Sequence, residues 1–243
     1  MNTNVKERNE KMIEKELLLK NPLHVLKRST EDILPKCGFG AVLARAGVGK
    51  TSLMVQIALN TLLQSKNVLH ISLNDPVNKV VLWYEEVFKN VSKEYDTKMV
   101  NNLWEIALTH RFIMTFQVEG FSVPKLEERL EDLIEQAIFF PHMVLIDGLV
   151  FDDSIHQPLL DLKELAKKLG VNFWFAVQTH REDKHAPSGL PNRLVQLKDL
   201  FDVAILLKSE GKNVHLQLLK GSDQNIDPAN LSLDPSTMLI NSI

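Results

Sequence analysis

The chain has 243 residues, with 28 basic and 31 acidic side chains, so its formal charge is −3 when histidine is neutral. Hydrophobic residues make up 44% and charged residues 24%, a composition typical of a folded globular protein that excludes disorder over most of the length. The apolar runs are far shorter than the ~20 residues of a membrane span, and the N-terminus lacks the apolar segment of a secretory signal. A slightly acidic total argues against a protein that wraps nucleic acid, and the single cysteine, Cys37, fits a reducing cytoplasm.

The N-terminal residues 1–36 are predicted to form a helical appendage to a main domain that spans residues 37–243. Between Lys6 and Lys20, apolar residues that include Ile13 and Leu17 recur at helical spacing. Two interpretations are open for this helix: it packs on the flank of the main domain, or it docks on another subunit.

From Phe39 onward, short apolar runs alternate with longer amphipathic stretches. The runs are Gly40–Leu43, Val68–Leu73, Phe112–Phe116, Met143–Ile146 and Asn172–Val177. Helical spacing is found at Val77–Leu108, Val123–Ile138 and His156–Leu169. Apolar strands separated by helices are typical of a parallel sheet covered on both faces, so the fold class is α/β.

The last part of the chain has a different pattern. Val203–Lys208 and Val214–Lys220 flank Glu210-Gly211-Lys212-Asn213, a turn rich in hairpin residues. We therefore expect the sheet to finish in an antiparallel hairpin at its C-terminal edge.

The strongest motif is ARAGVGKTS, residues 44–52, which follows an apolar strand and precedes a helical pattern. That context is typical of a phosphate-binding loop, whose backbone N–H groups converge on a polyphosphate at the start of a helix. The predicted ligand-binding residues of the loop are Ala46, Gly47, Val48, Gly49, Lys50, Thr51 and Ser52. The lysine is expected to reach the β- and γ-phosphates, and the threonine hydroxyl to ligate Mg²⁺. The usual first glycine of the motif is Ala44 here, and Arg45 is interpreted as a solvated loop cation.

A second motif, HMVLIDG, ends an apolar strand with Asp147. Ligands of open α/β sheets bind at the carboxyl ends of the strands, so this carboxylate is placed to hold the Mg²⁺ shell. The alternative is that Asp147 caps the segment that follows it.

With both motifs placed, the chain resembles the RecA-like branch of P-loop ATPases, in particular its KaiC-like and replicative-helicase motor group. The resemblance covers roughly residues 36–222 and rests on ARAGVGKTSL, NVLHISLND, HMVLIDGL and FAVQTHRE. It implies a mostly parallel central sheet flanked by helices, ATP and Mg²⁺ as cofactors, and ATP hydrolysis as the activity.

The resemblance also implies roles for strand-end residues. A polar residue at the end of the strand beside the Asp147 strand senses the γ-phosphate in this family, and Gln178 matches that place, with Thr179 as the neighbouring alternative. Relatives carry a water-positioning glutamate after the second strand, where this chain has Asn74 followed by Asp75. An amide cannot accept the proton, so Asp75 is the candidate catalytic carboxylate if the strand end is shifted by one residue.

Two further segments bear on partners. Ring-forming relatives place a Lys-x-Arg pair after the last hairpin, and this chain has Lys220 without the arginine, so a homo-oligomer is possible on the resemblance alone. The loop from residue 181 to residue 193 occupies the place where relatives meet DNA or a partner protein; its basic or ionisable side chains are Arg181, Lys184, His185 and Arg193. Two acidic residues offset them and no aromatic residue is present for base stacking, which favours a partner protein over DNA.

The sequence therefore predicts a cytoplasmic Mg-ATP-binding ATPase with slow hydrolysis that acts as a nucleotide-dependent switch or assembly factor for a partner protein, without membrane contact. Two alternatives are open. One is a degenerate ATP-binding scaffold that does not hydrolyse the nucleotide, which Asn74 favours. The other is a DNA-dependent recombination or helicase accessory protein, which the family favours and the net charge opposes.

Overall fold

The computed structural model of the protein describes residues 33–116, 120–180, 191–211, 213–221, 231–234, 236–237 and 239–242, together with Ile13, Lys15 and Leu17. In these ranges the strands are β1 Phe39–Ala44, β2 Val68–Ser72, β3 Arg111–Thr115, β4 Met143–Asp147, β5 Asn172–Gln178, β6 Val203–Glu210, β7 Asn213–Lys220, β8 Leu231–Leu233 and β9 Ile240–Ser242. The helices are α1 Lys50–Leu62, α2 Val77–Val91, α3 Thr97–Thr109, α4 Val123–Glu135, α5 His156–Leu169 and the short α6 Asn192–Val195.

The described strands form one sheet in the order β3-β2-β4-β5-β1-β6-β7-β8-β9. The pairs from β3 to β6 are all parallel, and those from β6 to β9 are antiparallel. The mostly parallel sheet and its antiparallel end confirm the predicted fold class. The carboxyl ends of β1, β2, β4 and β5 meet at one edge, because Ser72 lies opposite Asp147, and Ala44 lies opposite Gln178.

Two apolar cores cover the two faces of the sheet. Along β1, Val42 and Ala44 pack with α1, α2 and α3, whereas Ala41 and Leu43 pack with α4 and α5. This alternation follows from the two-residue period of a strand. We call the side that carries α1, α2 and α3 the α1 face. Ile13 and Leu17 are buried in the core of the α1 face.

The predicted helical stretch Val77–Leu108 is two helices in the structure. Its break has a local cause: the Ser92 hydroxyl donates to the carbonyl of Phe88 (2.7 Å), and the Asp96 carboxylate accepts from the backbone N–H of Lys98 and of Met99 (both 3.1 Å). Asp96 is thus an N-cap that starts a new helix.

Two other boundaries differ from the prediction. Helix α4 ends at Glu135 rather than at Ile138, since Ala137 adopts a φ of +54° and Ile138 is 58% exposed. The predicted β6–β7 hairpin is present, but β8 and β9 extend the sheet beyond it.

No helix in the described ranges is long and apolar enough to cross a membrane.

Gly40 is required by the close approach of a core aromatic ring. A β-carbon on Gly40 would lie 2.4–2.6 Å from three ring carbons of Trp174, and that side chain is only 1% exposed, so it has little room to move aside. We expect Gly40→Ala to lower the free energy of unfolding by about 1–3 kcal/mol in urea denaturation.

The same substitution in a Trp174→Leu background provides the control. If the clash with the ring is the cause, the cost of Gly40→Ala should fall sharply in that background. An equal cost in both backgrounds would contradict this explanation.

Candidate functional site

The loop between β1 and α1 requires glycine at two positions. Gly47 has a φ of +75° and Gly49 a φ of +102°, in the left-handed region that other residues rarely adopt. Between them Val48 is half-buried and packs against the core of the α1 face, whereas Ala46 and Gly47 are exposed at the tip of the loop.

The N-terminus of α1 has two features that are typical of anion-binding helix ends. Gly49 is its N-cap residue, and no side chain caps the helix there. In a regular helix the N–H groups of the first turn have no acceptor within the helix itself. With the positive end of the helix dipole, such groups form a binding site for phosphate.

Lys50 lies back across the loop. Its Nζ donates to the carbonyl of Ala44 (3.1 Å) and to that of Arg45 (3.0 Å). Burial lowers the pKa of Lys50, and the negative charge of Asp147 opposes that shift. The side chain is therefore a partly desolvated cation beside a carboxylate, at the entrance to α1.

Thr51 and Asp147, the two residues predicted to hold Mg²⁺, lie in hydrogen-bond contact. Thr51 Oγ1 donates to Asp147 Oδ2 at 2.7 Å, across 96 positions of sequence. Burial raises the pKa of Asp147; the Thr51 hydrogen bond and the charge of Lys50 oppose that shift, and the charge of Asp75 adds to it. A hydroxyl and a carboxylate at this distance are the oxygen ligands that Mg²⁺ prefers, so the residues present fit that ion. Asp147 does not cap the following helix α5, because the N-cap residue of that helix is Ile155.

Asn74 and Asp75 both lie near the end of β4. A β-carbon on Gly148 would be 2.6 Å from Asn74 Nδ2, so the Asn74 amide lies against the residue after Asp147. Asp75 is half-buried, and Lys79 Nζ donates to its Oδ1 at 2.7 Å.

A tight turn places Asp75. The Ser72 hydroxyl accepts from the Asp75 N–H (3.0 Å) and donates to the Asp75 carbonyl (2.9 Å). The turn brings the Asp75 charge close enough to influence Asp147. The structure thus places the amide and the carboxylate at the same strand end.

Gln178 ends β5, directly beside the start of the loop. Its register partner is Ala44, and the next residue, Thr179, donates its N–H to the Ala44 carbonyl at 2.9 Å. Ala176 belongs to the core of the α1 face, so the two-residue period puts Gln178 on the side that carries α1. Gln178 is exposed there, whereas Thr179 is buried.

The segments predicted to choose a partner are only partly described. Arg181, Lys184 and His185 lie outside the described residues, and so does the side chain of Arg193. Lys220 is described: its Nζ donates to the Lys198 carbonyl at 2.8 Å, within the same chain.

One contact of the β1–α1 loop is not predicted by the sequence pattern. Leu233 of β8 lies against Gly49, since a β-carbon there would be 2.5 Å from Leu233 Cδ2. The apolar–polar alternation of Leu231-Ser232-Leu233 is a strand signal, but three residues are too few to place it.

The raised pKa of Asp147 predicts that Asp147→Asn raises the thermal midpoint of the nucleotide-free protein at pH 7. Burial raises this pKa above the ordinary 3.8, so the folded state binds the proton more tightly than the unfolded chain. Stability is then lost as the pH rises through the interval between the two pKa values. An amide avoids that loss and can still accept from Thr51. A gain of about 1 kcal/mol would raise the midpoint by about 2–4 °C.

Thermal unfolding of both proteins between pH 4 and pH 8 checks this expectation. The difference between variant and wild type should shrink as the pH falls toward the ordinary value of 3.8. A lower midpoint for Asp147→Asn at pH 7 would mean that the carboxylate stabilises the folded chain.

The fold of this chain is similar to that of a protein of known structure. No protein-family model matches this chain, and no curated protein sequence matches it. The structure is similar to that of the "ATPase Domain of G40P", with a TM-score of 0.61 and 18% sequence identity over 86% of each chain. A likeness at this level of identity establishes the fold, and the chain therefore has the RecA-like P-loop fold that its motifs predicted.

Proposed function

We propose that the protein binds Mg-ATP at the β1–α1 loop and hydrolyses it slowly. The observation that carries the proposal is the meeting of Lys50, Thr51 and Asp147 at the uncapped N-terminus of α1. A bound nucleoside triphosphate needs a cation at its phosphates, and its Mg²⁺ needs oxygen ligands. Lys50 provides the cation, and the Thr51 hydroxyl and the Asp147 carboxylate provide the oxygen ligands. The similar G40P structure is that of an ATPase domain, which agrees with this activity.

Each residue has a separate task in the proposal. The N–H groups of the loop and of the first turn of α1 bind the phosphates, and Lys50 leaves the Ala44 and Arg45 carbonyls to contact the terminal phosphates. Thr51 and Asp147 would hold Mg²⁺, which supplies charge neutralisation at the phosphate oxygens. Gln178, at the end of β5 on the α1 face, would contact the γ-phosphate side of the site.

Activation of the attacking water is the step that the residues of the site support least. Asn74 can orient a water molecule but cannot accept its proton, and Asp75 is paired with Lys79. Hydrolysis is expected to be slow if the site has no base. It is also expected to be slow if Asp75 is the base, because this carboxylate is paired with Lys79. A slowly hydrolysed nucleotide suits a switch, because the ATP state then persists long enough to bind a second molecule.

We further propose that the second molecule is a partner protein rather than DNA. The net charge of −3 and the acidic residues in the loop from residue 181 to residue 193 support this choice, as does the lack of an aromatic residue there. We do not include assembly of identical subunits in the proposal. Lys220 lacks the accompanying arginine, and it donates to a carbonyl of its own chain. The single Cys37 fits a cytoplasmic protein.

Lys50→Ala should abolish measurable nucleotide binding while the protein stays folded. The substitution removes the cation that the site directs at the β- and γ-phosphates, so titration calorimetry with Mg-ATP should show no saturable heat. Arg45→Ala is the matched control, because Arg45 is an exposed cation of the same loop whose side chain the proposal does not use. Equal affinities of Lys50→Ala and wild type would refute binding at this loop.

Hydrolysis by the wild-type protein should be slow, on the order of one turnover per minute or below. Typical enzymes turn over at ~10 s⁻¹, and the loss of a general base commonly costs ~10²–10⁴-fold. Asn74→Glu should speed the reaction if the water lies beside this side chain, because the new carboxylate can accept the proton. Asp75→Asn should abolish the remaining activity if Asp75 is the base.

Steady-state phosphate release, measured with and without DNA, distinguishes the proposal from its rivals. No hydrolysis despite binding would favour the ATP-binding scaffold, and strong stimulation by DNA would favour the DNA-dependent accessory protein. Fast turnover that survives Asp75→Asn would place the base elsewhere.

A further inference from the structure

The phosphate-binding loop is contacted by a side chain from the far end of the sequence. Leu233 is the one residue with atoms within 4 Å of the place where a Gly49 β-carbon would be, when Gly49 and its chain neighbours are set aside and the described residues are considered. Its Cδ2 is 2.5 Å from that position. The leucine methyl group therefore occupies the space that any side chain on Gly49 would need.

Leu233 is itself firmly held. It is 3% exposed, pairs with Val214 of β7, and belongs to the core of the α1 face. The chain then turns, with the Asp234 carboxylate accepting from the Ser236 N–H (2.8 Å), and the Asp234 N–H donates to the Leu239 carbonyl (2.8 Å). The hydrogen bond between Asp234 and Leu239 thus continues the pairing of β8 and β9 beyond Leu233.

The same hairpin is tied to α2. Asn90, near the end of α2, donates its Nδ2 to the Thr237 carbonyl at 2.8 Å. Helix α2 begins two residues after Asp75, at Val77. The hairpin therefore contacts the phosphate-binding loop through Leu233 and, through Asn90, the helix that follows the candidate catalytic carboxylate.

A loop rich in glycine loses conformational freedom when it binds a ligand, and any contact that restricts it beforehand reduces that loss. Gly49 directly precedes Lys50, so its φ of +102° sets the direction in which the first N–H groups of α1 point. A leucine that lies against this α-carbon limits the movement of the peptide at the point where the phosphates would bind.

We propose that Leu233 is a positioning residue for the phosphate-binding loop, and that nucleotide binding and the seating of the β8–β9 hairpin stabilise each other. This inference rests on the proposed nucleotide binding and adds a regulated element to it. By linkage, whatever displaces the hairpin weakens nucleotide affinity, and bound nucleotide holds the hairpin in place to the same extent.

The chain offers a matched control for the test. Leu231 lies in the same strand, two residues away, on the same side, and is 1% exposed in the same core. It has no atom within 4 Å of the Gly49 position. Leu231→Ala and Leu233→Ala remove equal volumes from one core, but only the second removes the contact with the loop.

We expect both variants to lower the thermal midpoint. Leu233→Ala should also weaken Mg-ADP affinity in calorimetry about tenfold, within the usual range of coupling between sites, whereas Leu231→Ala should stay within about twofold of wild type. Leu233→Met, which restores the volume, should recover most of the affinity. If Leu233→Ala does not fold, Leu233→Val makes the smaller truncation for the same comparison.

Hydrogen exchange of the wild-type protein gives a second, independent readout. Saturating Mg-ADP should slow amide exchange at Leu231 and Leu233. Equal affinities of the two alanine variants, or unchanged exchange in β8 on binding, would overturn the inference while leaving the proposed function intact. Absence of nucleotide binding by the wild type would instead overturn the proposed function, and the inference with it.

Discussion

The burial of β1 on both faces is the constraint on which the arrangement of the site depends. All six of its residues are buried, with parallel partners β5 and β6 on its two sides. Because β1 is enclosed in this way, the polar residues that follow it must lie beyond the carboxyl edge of the sheet. The parallel register then sets what stands at that edge: Gln178 beside Ala44, and Asp147 opposite both Ala176 and Ser72. The β1–α1 loop lies near Asp147 and Gln178 because the neighbouring strands end at the same level.

The polar groups at this edge are costly to keep in the folded chain. Burial lowers the pKa of Lys50 and raises that of Asp147, so each group is held in surroundings that disfavour its charged form. Their mutual attraction and the Thr51 hydrogen bond offset part of this cost. Local destabilisation of this kind is typical of a site shaped for a ligand that supplies the missing charge compensation.

The sequence predicts this fold well because its signals are local. Each buried parallel strand is a short apolar run, and the loop motif identifies both the strand before it and the helix after it. The proximity of Thr51 and Asp147 could be predicted as well, since Asp147 ends β4 and Thr51 lies at the start of the helix that follows the β1–α1 loop. The break between α2 and α3 was missed because the amphipathic pattern continues across it, and only the cap at Asp96 marks it. Strands β8 and β9, of three residues each, are too short to show a period, and long-range pairing with β7 is what makes them strands.

The place of Asn74 and Asp75 shows where a sequence pattern stops being informative. Within β2 the two-residue period puts Val68, His70 and Ser72 on one side, and its continuation would give that side to Asn74. Regular strand geometry ends at Ser72, however, and the hydrogen bonds between Ser72 and Asp75 fold the chain back. The amide then lies against Gly148, while the adjacent carboxylate is close enough to Asp147 to raise its pKa. By sequence position alone, either Asn74 or Asp75 would take the place of the water-positioning residue, but not both. The turn places both at the end of β4, so their roles differ by side-chain chemistry: only Asp75 can accept a proton, and the Asn74 amide can both donate and accept a hydrogen bond to water.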